Sequence, residues 1–435
     1  MSSTDSFKPA PLATPQKRVF RCGVLLDGTG RAAAHNVAVI TRGHEIVEVS
    51  PYIARAPLDP PRALEIDLSD KIVIPGLVDA HVHLAAGYPH HPGWHLARGD
   101  RSLLSAWACA SAQEAMRVGV TTLGDCGAPD GVTLRLKTLL DSGAVAGPRL
   151  LACGPCLTTT GGHAVELGIT ADSGDQLRSR VREVCARRAD FVKIMASGGS
   201  MDPETNRRRA QYSLDELQMA ADDAHRLNKK VVAHANATEA IRFCVQAGID
   251  IIAHCNWLGP APGTIEYDAE VASMIAKQGV SIDLNIEAAI TPLAEHDGWR
   301  EEWVRDPIRP HTRWSLLSDL RQDGAVIYLT SDCFGPDVAT FPRLLARLGK
   351  SQDVALEEIV WRSTGLPAKG LGLGDVLGTI QPGRRADLVA LNYEETVDAE
   401  CLLRVNRVFL EEQLAVQDGR LAPPIKRAPL PTVRP

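Results

Sequence analysis

The sequence has no apolar run long enough to cross a bilayer as a helix. It has no excess of basic charge. Against 47 Lys and Arg stand 53 Asp and Glu, a formal net charge of −6, so electrostatics makes no case for nucleic acid or an anionic membrane as partner. The opening MSSTDSFKPAPLATPQK lacks the basic-then-apolar order of a secretory signal and reads as a flexible polar tail over 1–17. The ten cysteines are spread thinly through apolar segments, a pattern of reduced thiols, not of a disulfide framework. A cytoplasmic location is the resulting expectation. No Gly-rich phosphate turn follows the first strand of the α/β region, which counts against a doubly wound open sheet.

What is present is a chain of 435 residues, 45% hydrophobic and 23% charged, enough for a large core and more than one domain. Residues 18–50 read as short strands with turns at Asp27-Gly28 and Arg42-Gly43. After Pro75 the texture changes to apolar β-rich runs alternating with helical spacing. The strand candidates are 78–83, 120–124, 149–153, 191–195, 230–234, 249–254, 279–284 and 326–331, and several are continuous apolar runs, as in parallel strands buried on both faces. Between them, Ser213 and Glu216 form a capping-box pattern, with Leu217, Ala220, Ala221, Ala224 and Leu227 on one helix face. Thr238 is the expected cap of the next helix and Gly248 its stop. Eight such units predict a (β/α)8 TIM barrel over 76–375. Strand-and-turn texture returns at 376–421, with a hairpin turning near Glu411-Glu412. The expected architecture is α/β: the barrel plus a small β-sandwich built from both chain ends, 18–75 and 376–421, and a Pro-rich tail at 422–435.

The run Ile72 to Leu84, IVIPGLVDAHVHL, carries the first chemistry. Alternation on a strand turns His81 and His83 to one face, where two imidazoles can grip one metal ion. An isolated His-x-His is usually chance, so partners decide. In such a barrel they belong at the carboxyl ends of the strands. Lys193 lies within the fourth strand, His234 ends the fifth, His254 ends the sixth and Asp332 follows the eighth. An ammonium cannot bind a metal. Lys193, flanked by Phe191, Val192, Ile194 and Met195, should be buried, where the neutral amine is favoured and can add carbon dioxide to become an anionic carbamate.

Five stretches, PGLVDAHVH, GVTT (119–122), VKIMASGG (192–199), VVAHA with IIAHC (231–235 and 251–255) and LTSD (329–332), together with GTIQPGRRADLVAL, resemble the amidohydrolase superfamily over nearly the whole chain. VKIMASGG, TTGGH (159–163) and QYS (211–213) resemble more narrowly its prolidase-like branch, which includes dipeptide and N-acyl amino acid carboxypeptidases and an ochratoxin-hydrolysing relative. The resemblance implies that His81, His83 and Asp332 hold one divalent ion and that His234 and His254 hold a second. Carboxylated Lys193 would lie between them, with Zn²⁺ the first choice of metal and Co²⁺ or Mn²⁺ the alternatives. It implies that Asp332 moves the proton of a metal-activated water, that Tyr212 polarises the scissile carbonyl and that His163 lines the same pocket.

The expected enzyme hydrolyses an amide or peptide-type C–N bond in a small-molecule substrate, and the expected assembly is a homo-oligomer. A carbamate, urea, ester or lactone hydrolase acting on a xenobiotic is the alternative. A non-catalytic barrel scaffold is the reading of another class, and the presence of all six ligands counts against it. For substrate, Arg207, Arg208 and Arg209 could clamp a carboxylate. Trp94, Trp257 and the segment 285–310 with Trp299 and Trp303 could cover a bulky group. His90, His91 and His95 form a His-rich loop that departs from the branch's pattern. Cys153-Gly-Pro-Cys156 spells a redox pair but lacks the surrounding unit such chemistry uses.

Overall fold

A computed structural model describes residues 17–53, 63–87, 99–202, 204–286, 320, 324–394 and 396–431. The chain opens with β1 (Lys17–Leu25), β2 (Ala34–Arg42), β3 (Glu45–Pro51) and the long β4 (Ala63–Pro75). The barrel follows: β5 (Leu77–His83), α1 (Arg101–Arg117), β6 (Val120–Asp125), α2 (Val132–Ser142), β7 (Arg149–Ala152), β8 (Cys156–Thr158), β9 (Gly168–Thr170) and α3 (Gly174–Ala186). It continues with β10 (Val192–Met195), α4 (Leu214–Arg226), β11 (Val231–Ala237), α5 (Thr238–Gln246), β12 (Ile251–Leu258), α6 (Ala269–Gln278), β13 (Ser281–Asn285) and β14 (Val326–Thr330). Then come β15 (Cys333–Phe334), α7 (Phe341–Gln352), α8 (Leu356–Ser363), α9 (Gly365–Gly370), β16 (Leu388–Leu391), β17 (Val405–Leu410), β18 (Gln413–Gln417) and β19 (Arg420–Leu421).

Two parallel arcs make the barrel: β15-β5-β6-β7, and β14-β13-β12-β11-β10-β8-β9. They join at two kinks. β8 prolongs β7 past Gly154, whose φ of 72° only glycine adopts freely, and pairs with β10. β15 prolongs β14 past Asp332, whose φ is 59°, and pairs with β5. The ring is thereby closed, and all eight barrel strands fall where alternation placed them. Val78, Ala80, Leu151, Phe191, Val232, Ile251, Ala253 and Tyr328, drawn from strands around the whole ring, form one cluster that rests on Leu366, Leu371, Leu373 and Leu377.

The two chain ends share one eight-stranded sheet, ordered β19-β18-β17-β16-β4-β1-β2-β3. It folds over on itself as a sandwich: β1 and β17 are not sheet neighbours, yet the rings of Phe20 and Phe409 meet edge to face at 5.1 Å. Along β4, Ile72 and Ile74 face the barrel cluster while Val73 faces the sandwich interior, as a period of two requires. The turn from β17 to β18 puts both Glu411 and Glu412 at positive φ, 52° and 63°, the backbone of a tight two-residue hairpin. Passage from β4 into β5 runs through Gly76, where a Cβ would lie 1.9 Å from Thr121 Oγ1.

The Ser213–Glu216 capping box is present in full at α4, although Leu227 beyond its end is 43% exposed. At α5 the cap is Ala237, not Thr238; the Thr238 hydroxyl instead donates to Glu266 O at 2.7 Å. Residues 422–431, expected as part of a loose tail, lie against the protein: Arg385 Nη2 donates to Pro429 O at 2.6 Å. Residues 1–16 and 432–435, the His90, His91, His95 loop, Trp94, Trp299 and Trp303 lie outside the described residues.

Phe20 is fully buried against Phe409, so truncation opens a cavity in the sandwich. Phe20→Ala should cost about 3–5 kcal/mol in urea unfolding. A loss under about 1 kcal/mol would mean that the sheet does not fold over on this pair.

Candidate metal centre

His81 and His83 end β5 with both Nε2 atoms aimed at one oxygen: they stand 3.4 and 3.5 Å from Asp332 Oδ1. Their other nitrogens are held from behind. His81 Nδ1 lies 2.6 Å from Asp283 Oδ2, and His83 Nδ1 lies 3.3 Å from Gly127 O. These contacts fix the rings and place the proton on Nδ1, leaving each Nε2 lone pair turned inward. Ligand atoms of His81, His83 and Asp332 all lie within 4.8 Å of one another, a spacing that can hold a metal ion. The donor set, two imidazoles and a carboxylate, suits a divalent cation of the zinc type.

The other three expected ligands join this group. Lys193 is buried on β10, with Nζ 3.2 Å from His81 Nε2. His254 Nδ1 is 3.8 Å from Asp332 Oδ2. The His234 ring lies 4.3 Å, centre to centre, from His254, edge to face, and 4.4 Å from His163, tilted. His234 Nε2 lies 3.1 Å from Gly198 O and 2.8 Å from Asn236 Nδ2, and Asn236 is itself held by Asn256. Strain gathers here too: His254, Cys255 and Trp257 on β12 take φ of 69°, 49° and 52°. Such values persist only where the surroundings enforce them.

Electrostatics follow from crowding. Burial alone would raise Asp332, but His81, His83 and Lys193 around it hold its carboxyl below the usual range. Burial lowers His81, with Lys193 adding to the effect, and lowers His234 strongly, with His254 and His163 beside it. Both imidazoles are therefore neutral at pH 7, the form that binds metal.

His163 sits in this pocket, its Nδ1 3.5 Å from Asp202 Oδ2. Gly199 is what lets the backbone approach it, since a Cβ there would fall 2.3 Å from His163 Nε2. Tyr212 requires a correction. Its buried hydroxyl donates to Ala171 O at 2.9 Å, so its one proton is directed at the backbone and not at a substrate carbonyl. For Arg208 and Arg209 the expected carboxylate clamp is corrected likewise. Arg208 Nη1 donates to Gly259 O at 2.6 Å and Thr264 O at 3.0 Å, fastening the loop after β12, and Arg209 pairs with Glu239 at 3.6 Å. Arg207 is buried in the same loop. Trp257 is fully buried with its ring 5.0 Å from Tyr267, a packing position. Cys153 and Cys156 are free and buried, and burial pushes the Cys156 thiol up to about 12, which leaves no reactive thiolate at neutral pH.

Sequence reasoning missed Asp283, Asn285 and Asp202. Alternation along β13 offered a signal, since Ser281, Asp283 and Asn285 put polar groups on one face of the strand and Ile282 and Leu284 apolar ones on the other. Asp125 was missed as well; it accepts Leu84 N and Thr133 Oγ1, both at 2.9 Å, and burial raises it to about 6.

A family model described as "Amidohydrolase family" matches residues 72–419. The ochratoxinase of Aspergillus niger is 23% identical over 414 residues, covering 86% of this chain and 80% of the relative. A solved Xaa-Pro dipeptidase with bound methionine in the active site superposes with a TM-score of 0.79 at 23% identity, over 92% of this chain and 99% of that one. A prolidase complexed with N-methylphosphonate-L-proline gives 0.78 at 26% identity, over 93% and 100%.

Two outcomes are expected. Asp283→Asn removes the carboxylate behind His81 and should weaken divalent-metal affinity by about 10–100-fold, read by chelator competition; unchanged affinity would show that His81 needs no such support. Burial also raises Asp79 to about 8, above an unfolded value of about 3.9, so its contribution to stability is complete below about pH 4 and is lost as pH rises through 8. In chelator-treated protein, wild type should therefore lose stability relative to Asp79→Asn across that window, and parallel pH profiles would contradict the assignment.

Proposed function

Since the chain belongs to the amidohydrolase family, we propose that it is a metal-dependent hydrolase that cleaves the C–N bond of a small amide, a dipeptide or N-acyl amino acid. The observation that carries this reading is the convergence of His81 and His83 Nε2 on Asp332 Oδ1, with the opposite ring nitrogens anchored, at the carboxyl-end rim of the barrel. His81, His83 and Asp332 would hold one divalent ion, and His234 and His254 a second, Zn²⁺ in each case. Lys193, buried and beside His81, is the amine that would add carbon dioxide, releasing a proton and becoming the carbamate between the two. Ions bound there would acidify a water and polarise the substrate carbonyl.

The chain's own groups do the rest. Asp332, kept ionised by its imidazole and lysine neighbours, accepts the proton of the attacking water and returns it to the departing amine nitrogen. His163, 3.5 Å from Asp202 and beside His234, would be the donor that stabilises charge on the carbonyl oxygen, the role first expected of Tyr212. Asp283 keeps His81 turned into the site by accepting from its Nδ1 at 2.6 Å.

The deciding experiment is a screen on metal-loaded protein, setting dipeptides and N-acyl amino acids against aryl carbamates, ureas and esters. The amides should turn over fastest. Preference for a carbamate, urea or ester would replace the substrate assignment while keeping the centre. Asp332→Asn should lower kcat by about 10²–10⁴-fold with the circular dichroism spectrum unchanged, and undiminished turnover would remove Asp332 from its role.

A further inference from the structure

The barrel's other rim carries a second set of charged side chains that the proposed chemistry does not use. Arg149 opens β7, Asp190 stands two residues ahead of β10 and Lys229 two ahead of β11, so all three lie at the amino ends of strands whose carboxyl ends face the metal centre. The segment after β19 returns beneath them, tied by Arg385 Nη2 to Pro429 O at 2.6 Å and by Ala428 N to Glu411 Oε2 at 3.0 Å. Between this strap and the barrel is a cavity of about 490 Å³, lined by Lys137, Arg149, Arg188, Lys229 and Arg427, with Asp141 and Asp190 as the acids of its wall.

These charges are unevenly matched. Arg149 is satisfied by Asp387 at 2.6 Å and Glu411 at 2.9 Å. Lys137 stands 3.0 Å from Asp141 and 3.7 Å from Asp190. Arg427 is different. Its side chain is 4% exposed, and Asp141 Oδ1 is 3.9 Å from its Nη1. Nη2 donates to Gly147 O, while Nε and Nη1 have no hydrogen-bond partner. Burial, with the Arg149 guanidinium nearby, lowers Arg427 only to about 10, so it stays charged at neutral pH. A buried guanidinium with two idle donor nitrogens is costly unless an acceptor takes the space in front of it.

We propose that this cavity is a binding site for a phosphate group, free or carried on a small organic molecule, held by Arg427 with Lys229 and Arg188 as the rest of its cationic wall. A phosphate fits better than a carboxylate for two reasons. It carries nearly two charges against three cations, and its several oxygens can take both idle donor nitrogens and a lysine at once. The cavity is also larger than inorganic phosphate needs, which leaves room for an attached group. Binding would tie the strap at 426–431 to the loops ahead of β10 and β11.

The test is calorimetric titration of the full chain with inorganic phosphate, pyrophosphate and phenyl phosphate at constant ionic strength, before and after chelator treatment, with thermal melts alongside. Saturable binding that survives chelation and raises Tm is expected. Arg427→Gln and the double variant Arg188→Gln/Lys229→Gln should each weaken it by at least about tenfold, which is a measurable 1.4 kcal/mol, and Lys350→Gln on a distant helix should not. Absence of saturable binding overturns the proposal. So does binding that disappears on chelation, which places the anion at the metal centre, or binding equal in wild type and variants. Should Arg427→Gln not fold, the double variant, altered only at less buried positions, decides between these outcomes.

Discussion

One backbone hydrogen bond underlies the candidate centre. Asp332 N donates to His81 O at 2.9 Å, and beside it Ser331 N donates to Asp79 Oδ1 at 2.9 Å. Through these contacts the strand after residue 326 meets the strand that begins at 77, and the barrel closes. The same event delivers the Asp332 carboxylate to the imidazoles of His81 and His83. The left-handed kink at Asp332 is what re-aims its side chain, since a strand running straight through would continue the alternation of β14. Closure and ligand convergence are therefore one structural fact, and a chain that failed to close would have no centre to lose.

Around that junction, buried polar groups are arranged in relays. Thr330 donates to Asp283, Asn285 donates to Thr330 at 3.1 Å, and Asp283 backs His81. On the far side Asn256 holds Asn236, which holds His234. Each relay spans neighbouring strands, so an imidazole's orientation depends on strand register as well as on its own rotamer. Connected polar groups of this kind rigidify a site, and the candidate centre is preorganised to that extent, although Asn285 Oδ1 is left without a partner.

The sandwich does more than cover the barrel's flank. Its longest strand, β4, runs into the first barrel strand through Gly76, whose N–H donates to Asp387 O at 2.9 Å. Asp387 also holds Arg149, and Glu411 holds Arg149 and Arg385, so a buried ion network joins the hairpin of β17 and β18 to the foot of β7. Buried ion pairs add little net stability, since desolvation offsets attraction, but breaking one is costly. The network's contribution is to register the two chain ends against the barrel.

The eight barrel strands were legible because a strand buried on both faces must be an apolar run, and the six expected ligands stood out as candidates because each interrupts or ends such a run. The capping box at Ser213 and the hairpin at Glu411-Glu412 were legible because both depend on local backbone chemistry. Tyr212 and Arg208 were misread for the opposite reason. A hydroxyl or guanidinium on a loop can turn toward a substrate or toward the backbone, and only its neighbours decide which; here Ala171, Gly259 and Thr264 do. Asp202 and Arg427 were overlooked because a lone charged residue carries no period, whereas Asp283 sits in a polar alternation with Ser281 and Asn285 that went unread. What the residue order determined by itself was the barrel, its two-ended sandwich and the identity of the metal-competent side chains, since periodicity and burial are properties of short segments. What only the tertiary structure decided was which polar groups are spent on the protein's own backbone and which are left facing open space, because that depends on atoms hundreds of residues away.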